Sequence, residues 1–371
     1  MTPTSRSSCS NAMKILIVNP IIYTSETANI KKVSSIKDTM SYDLCLAFQQ
    51  AGHEVTLAAG KPFQPTQQEE YPFTVLWLNC ALPQICRPNV LPYCPELKQV
   101  IKKTRYDLII SSEVFSLNSL LLTRRCRGNL LIWHELAKHN NLMHKIPSKL
   151  WYGIVARLFF GKVPVVARSE EAKAFIAQYC QNVREVIIDH GVNLDKFEAC
   201  TEKEPYFIVA SQLIARKQIE KIIDKFAAFA AAHPDYRLLL LGEGDQEAAL
   251  KAQAKALGLQ DKVQFFGKVS HDTLKEYLKR AAALLVYTRK DNNMVSIVEA
   301  IACATPIVTT SVPYNASYIR ANRLGIVNDS WDENDLAEII GNRAYMENCL
   351  AYRKEIATAK KVELFLSEVQ Q

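Results

Sequence analysis

The chain has 371 residues, 49% hydrophobic and 22% charged, with a formal net charge of +7. That composition excludes a chain disordered along most of its length and allows two domains of ordinary size. The charge is uneven: 21 Lys and Arg stand against 14 Asp and Glu between Met13 and His190, and the remainder is near neutral. The first half is therefore either a plain solvated basic surface or one that faces an anion such as a phospholipid surface or a lipid diphosphate.

Residues 1–12 are polar, with no signal peptide, and are read as a disordered or tag-like extension. The apolar run Lys14–Asn19 predicts a buried parallel strand, followed by a helix over about Ile36–Ala51 that Gly52 ends. Further strands are predicted at Glu54–Leu57, Phe73–Leu78, Asp107–Ser111 and Leu130–Trp133, most of them separated by helical segments, and Arg184–Ile188 with His190–Asn193 closes the first half. The polar stretch Leu194–Pro205 reads as a linker, after which the pattern restarts. Strands at Phe207–Ala210, Arg237–Leu241, Val263–Phe266, Ala283–Tyr287 and Pro306–Thr309 alternate with helices at Lys217–Ala232 and Gln246–Leu257. One last helical segment runs over about Asn342–Glu368. Alternating strands and helices predict parallel sheets covered on both faces. The expected division is 13–190, 191–341 and a C-terminal helix over 342–371, with ligands at the C-terminal strand ends of two facing halves.

The strongest chemical signal is Asp291-Asn292-Asn293-Met294-Val295-Ser296-Ile297-Val298-Glu299, followed by Ala300 to Val308. A strand ends, a loop carries an acid, and a helix opens near Met294. The amides of Val295 and Ser296 at that helix start suit a diphosphate. Glu299, one turn in, can accept from hydroxyls; Asp291 and Glu299 could equally be a loop acid and a solvated helix residue. Upstream, Ser211-Gln212-Leu213-Ile214-Ala215-Arg216-Lys217 follows a strand and opens a helix.

Together these segments resemble the donor-binding motifs of family 4 retaining glycosyltransferases of the GT-B fold. The resemblance implies an α/β protein of two facing Rossmann-like, doubly wound domains with a cleft between them. It covers Tyr206 to Asp335 and is looser before His190. It implies that Glu299 holds the donor ribose, that Asp291 lies near the donor sugar, and that Lys217 neutralises the diphosphate. Asp291 stands where the family usually has Glu, Ala304 where it has Gly, and Gln212 where it has Arg. Arg216 partly compensates for the last, although adjacent helical residues point apart. Backbone at Gly267, Lys268 and Val269 would contact the nucleobase, and Asp189–Phe197 resembles the family's junction segment. Gly242-x-Gly244 alone is a weak signal.

In the first half, His134 and Glu135 follow the strand Leu130–Trp133. Many relatives carry a His there near the donor sugar, so His134 is a catalytic candidate with Asp291, and Glu135 is the runner-up. The family's Gly-Gly after the first strand is missing, and Pro20–Ser25 stands there instead. Between Lys145 and Lys162, Trp151, Tyr152, Phe159 and Phe160 mix with cations, which fits either a half-buried core helix or one lying on an anionic membrane surface.

The ten cysteines are irregularly spaced without a C-x-x-C pair, so neither a zinc site nor a disulfide framework is expected. No apolar run reaches the length of a membrane span, and no nucleic-acid motif is present. The expectation is a cytoplasmic enzyme, peripheral at the inner membrane face if the basic half docks there. It would move a sugar from a UDP- or GDP-linked donor to a glycan or lipid-linked acceptor in bacterial surface polysaccharide synthesis, with no cofactor and no metal. The alternatives are a catalytically weak GT-B binding partner, or an epimerase or phosphorylase on the same fold.

Overall fold

The computed structural model of the chain describes residues 12–23, 30, 33–126, 128–140, 142–291 and 293–369. Residues 1–11, the loop positions Thr24 and Ser25, and Asn292 lie outside them. The chain divides into two compact units. One runs to Ile188 and takes in the segment from Val362 onward, and the other is Asp189–Lys361.

The first unit is built on a seven-stranded sheet of β1 (Lys14–Val18), β2 (Glu54–Gly60), β3 (Thr74–Leu78), β4 (Leu108–Ser112), β5 (Leu130–His134), β6 (Val165–Ala167) and β7 (Val183–Ile187). Their order is β3-β2-β1-β4-β5-β6-β7, and every pairing is parallel. Side chains alternate across a strand, so β1 sends Ile15 and Ile17 to one core and Leu16 and Val18 to the other. Phe365, on the helix Thr358–Val369, packs edge-on against Trp133 at 5.3 Å.

The second unit repeats the plan with β8 (Glu204–Ala210), β9 (Arg237–Leu241), β10 (Val263–Gly267), β11 (Ala281–Leu285), β12 (Ile307–Thr309) and β13 (Gly325–Val327). The order is β10-β9-β8-β11-β12-β13, again all parallel. Phe207, Phe226 and Phe229 fill one face and Ile208, Ile297 and Ile301 the other. In both sheets the order reverses beside the first strand of the unit, between β1 and β4 and between β8 and β11.

Several elements differ from the sequence expectation. The first helix is Met40–Gln50, starting later because the Thr39 side chain caps it by accepting from the Tyr42 amide. The strands β6 and β13, of three residues each, are not among the expected strands, although β12, equally short, is. The last helix, expected over about Asn342–Glu368, is broken into Ala344–Tyr352 and Thr358–Val369, and a helix outside the expectation, Glu333–Gly341, precedes it. At the break between them the backbone bonds elsewhere: the Val192 amide donates to the Ile356 carbonyl, and the Thr358 amide to the Val192 carbonyl.

The basic aromatic segment is a helix, Ile146–Leu150, that continues over Trp151–Phe160 with wider, π-type winding. Its aromatics face inward. Tyr152 and Phe160 are fully buried, and Trp151 and Phe159 are half-buried against the same core. The apolar side chains left exposed are aliphatic: Ile146, Leu150, Ile154 and Leu158. Among the described residues no helix is long and apolar enough to cross a membrane.

Candidate functional site

The site is built at the point in the second sheet where strand order reverses, the place where doubly wound sheets hold ligands. The chain leaves β8 at Ser211, makes a tight turn over Ala215–Lys217, and enters the helix Ile219–Ala232. Gln218, at φ +44, turns the chain between them. Two glycines after β9 let this loop close. A Cβ on Gly242 would lie 1.9 Å from the Ser211 carbonyl oxygen, and one on Gly244 would lie 2.1 Å from that of Leu213. Gly242-x-Gly244 is thus a close-approach device, in which the Leu213 amide donates to the Glu243 carbonyl at 3.0 Å.

Three of the expected donor residues meet there. Arg216 donates to Asp291 Oδ1 at 2.8 Å, and Lys217 Nζ donates to Asp291 Oδ2 at 2.9 Å. The Thr288 hydroxyl donates to the same Oδ2 at 2.6 Å. In a helix the neighbours Arg216 and Lys217 would diverge; in this turn they converge on one carboxylate from the other side of the reversal point. Two cations against one acid leave the cluster with a net positive charge. Lys217 and Asp291 are each largely buried, with side-chain exposures of 11% and 13%, so solvent screens their interaction weakly.

Beside the cluster, Val295–Ala302 begins without a side-chain cap. The amides of Val295 and Ser296 make no hydrogen bond among the described residues. The Met294 amide before them is held by Asn315 Oδ1 at 2.7 Å. Glu299 is buried, and its Oε1 lies 2.7 Å from His271 Nε2. Its Oε2 makes no hydrogen bond among the described residues. His271 opens the helix His271–Arg280, just after Gly267, Lys268 and Val269 at the end of β10. Gly267 has φ +65 and accepts from the Gly242 amide at 2.8 Å, which ties the β9 and β10 loops together. Lys268 is exposed and Val269 packs on the core. Gln212 is exposed, and only its backbone carbonyl is bonded locally.

In the first unit, His134 is fully buried at the end of β5. Its ring stacks near Phe175 and meets Tyr152 edge-on. Burial pushes the Tyr152 phenol far above its ordinary value, so that ring stays neutral. His134 Nδ1 lies 2.9 Å from Glu113 Oε2, but the ring is turned off the hydrogen-bond axis, and neither atom counts as satisfied. Glu113, at φ +69, accepts from the Glu135 amide at 2.8 Å. Glu135 in turn holds the buried Arg168 at 2.8 Å, whose guanidinium stacks 3.6 Å over Trp133. The partly exposed member of the His134 pair is therefore the carboxylate of Glu113.

Sequence reasoning missed Thr288, Asn315, His271 and Glu113. His271 is 28 positions from Glu299, and nothing in its local pattern marks it. The positive φ of Glu113 has no sequence signature in a non-glycine residue. Among the described residues no group of three or more His, Cys, Asp and Glu is placed to hold a metal.

Residues 193–360 match the glycosyl transferases of group 1, and residues 38–196 match glycosyltransferase family 4. The alpha-monoglucosyldiacylglycerol synthase of Streptococcus pneumoniae is 23% identical over 267 residues, 65% of this chain and 60% of that protein. Matches to three further curated relatives span from 14% to 30% of their lengths. Among solved structures, sucrose-phosphate synthase of Thermosynechococcus elongatus superposes with a TM-score of 0.67 at 18% identity, covering 96% of this chain and 99% of that one. HepE of Anabaena, in complex with UDP and glucose, does so with a TM-score of 0.67 at 16% identity over the same shares. These likenesses carry the fold, which is GT-B. The two family matches together run from residue 38 to residue 360, and the chain belongs to the family 4, or group 1, glycosyltransferases.

Proposed function

We propose that this family 4 chain is a retaining glycosyltransferase that takes a sugar from a nucleotide-diphosphate donor held by its second unit. The observation that carries the reading is the convergence of Arg216 and Lys217 on Asp291 at the β8/β11 reversal point, beside the start of the helix Val295–Ala302. The net positive cluster and the Val295 and Ser296 amides would stabilise the charge that grows on the leaving diphosphate. Glu299, oriented by His271, would accept from the ribose hydroxyls through Oε2. Backbone at Gly267–Val269 would meet the base. The transfer needs no protein nucleophile: the leaving diphosphate takes the acceptor proton on the face it departs from, and the protein positions both partners. No metal is required, because Arg216 and Lys217 supply the positive charge that the diphosphate needs. The likeness to a diacylglycerol glucosylating enzyme and to a UDP-binding protein supports a UDP-linked donor and a glycan or lipid-linked acceptor.

The test is a turnover screen with UDP- and GDP-linked sugars and lipid or glycan acceptors, with and without EDTA. The expected result is acceptor-dependent release of the nucleotide diphosphate, retained anomeric configuration by NMR, and no loss on chelation. If neither UDP nor GDP binds the folded chain by calorimetry, the reading fails and the binding-partner alternative takes its place.

A further inference from the structure

Four of the large apolar side chains exposed on the first unit lie along one helix. Ile146, Leu150, Ile154 and Leu158 are 57%, 57%, 55% and 69% exposed. Single exposed leucines are ordinary, but four at a constant spacing along one helix form a patch. The spacing keeps them together. A four-residue step turns slightly past a full turn in the α-wound part, Ile146–Leu150, and slightly short of one in the wider winding of Trp151–Phe160, so the drifts offset each other. The opposite side, Tyr152, Ala156 and Phe160, is fully buried. The helix is therefore apolar on two sides, and the unit covers one.

The charge around the stripe says what would cover the other. Residues 136–169 contain no Asp or Glu. Lys138, Lys145, Lys149, Arg157 and Lys162 are exposed there, and none makes an ion pair among the described residues. A second copy docked through a two-fold axis would set these cations against their own duplicates. An anionic lipid surface instead meets the stripe with acyl chains and the cations with phosphates, the composition of a helix lying in the headgroup boundary.

We propose that the Ile146–Leu158 stripe seats this protein reversibly on an anionic phospholipid bilayer. The proposal uses none of the residues of the donor site, so the two readings stand or fall separately.

The test is co-sedimentation of the full chain with vesicles of phosphatidylglycerol in phosphatidylcholine and with pure phosphatidylcholine vesicles. Binding is expected only with phosphatidylglycerol and weakens as salt is added. Ile154→Glu with Leu158→Glu should lower the partition coefficient at least about tenfold, since burial of both side chains is lost. Lys149→Glu with Arg157→Glu should also lower it, which keeps the test open if the first variant folds poorly. Both variants are compared with the wild type at matched melting temperature. The proposal is overturned by no binding of the wild type at low salt, by equal binding to both vesicle types, or by variants that bind like the wild type. It is also overturned if the wild type is a dimer that Ile154→Glu with Leu158→Glu converts to a monomer.

Discussion

The two sheets share one strand order and differ in what they place where that order reverses. In the second unit the loops after β8 and β11 bring Arg216, Lys217 and Asp291 together next to an uncapped helix start. In the first, the loop after β1 offers Asn19, bonded to Ser41 at 2.7 Å, and the loop after β4 offers the acid Glu113. Both units use a glycine to close the loop after the first strand. A Cβ on Gly60 would lie 2.7 Å from the Pro20 carbonyl oxygen, as one on Gly242 would approach Ser211. The backbone solution is shared and the chemistry is not. The fold supplies the position, and side chains on two loops decide whether an anion is held there.

The histidine–carboxylate pairs show the same division. In the second unit the acid is the buried partner: Glu299 is 9% exposed at its side chain and His271 is 23% exposed. In the first unit the imidazole of His134 is fully enclosed and Glu113 is 24% exposed. A buried acid with one oxygen fixed is a pre-oriented acceptor, whereas the enclosed imidazole of His134 makes no hydrogen bond to Glu113, which the Glu135 amide holds instead.

The largest break in the comparison should come from the loop that carries the cluster. Gly244→Ala forces a methyl into the Leu213 carbonyl and is expected to cost about 3 kcal/mol in urea unfolding. Gly60→Ala, with a longer approach, should cost less. Next, Arg216→Ala with Lys217→Ala should weaken UDP binding by about 3 kcal/mol in calorimetry, close to the upper value for lost charged hydrogen bonds. An affinity within twofold of the wild type would place the diphosphate elsewhere. His271→Ala should cost about 1 kcal/mol, because Glu299 loses its orienting partner but keeps its charge. Glu299→Ala should cost more than His271→Ala in the same titration, and the reverse order would break the ribose assignment. The smallest effect belongs to the first unit: Glu113→Gln should leave UDP affinity unchanged while altering the melting temperature. A loss of UDP affinity as large as that of the cationic pair would erase the distinction between the units.

How much of this was legible follows from what each feature rests on. The strands of both sheets were readable because buried parallel strands are continuous apolar runs bounded by turns. The three-residue strands β6 and β13 were not, and neither was β7, which carries Arg184 and Glu185 in place of a continuous apolar run. Lys217, Asp291 and Glu299 were readable from spacing and resemblance, but their mutual geometry was not. Whether Arg216 could join Lys217 depended on a tight turn ending at Gln218 with φ +44, and a helix pattern argues the opposite. Ala304, standing where the family has Gly, has φ +56. That is a left-handed backbone position, which glycine adopts without strain and alanine does not. In the helix Trp151–Phe160 two apolar sides both repeat at four-residue spacing, so spacing alone does not choose which faces inward.

The central claim is that the donor diphosphate is held at the reversal point of the second sheet. Amide hydrogen exchange with and without UDP tests it most directly, because it reports on both units in one experiment. The account predicts slower exchange at Val295 and Ser296 and along Ser211–Lys217, with the amides around Asn19 and Glu113 unchanged. Protection confined to the first unit, with Val295 and Ser296 exchanging at the same rate in both samples, would contradict it.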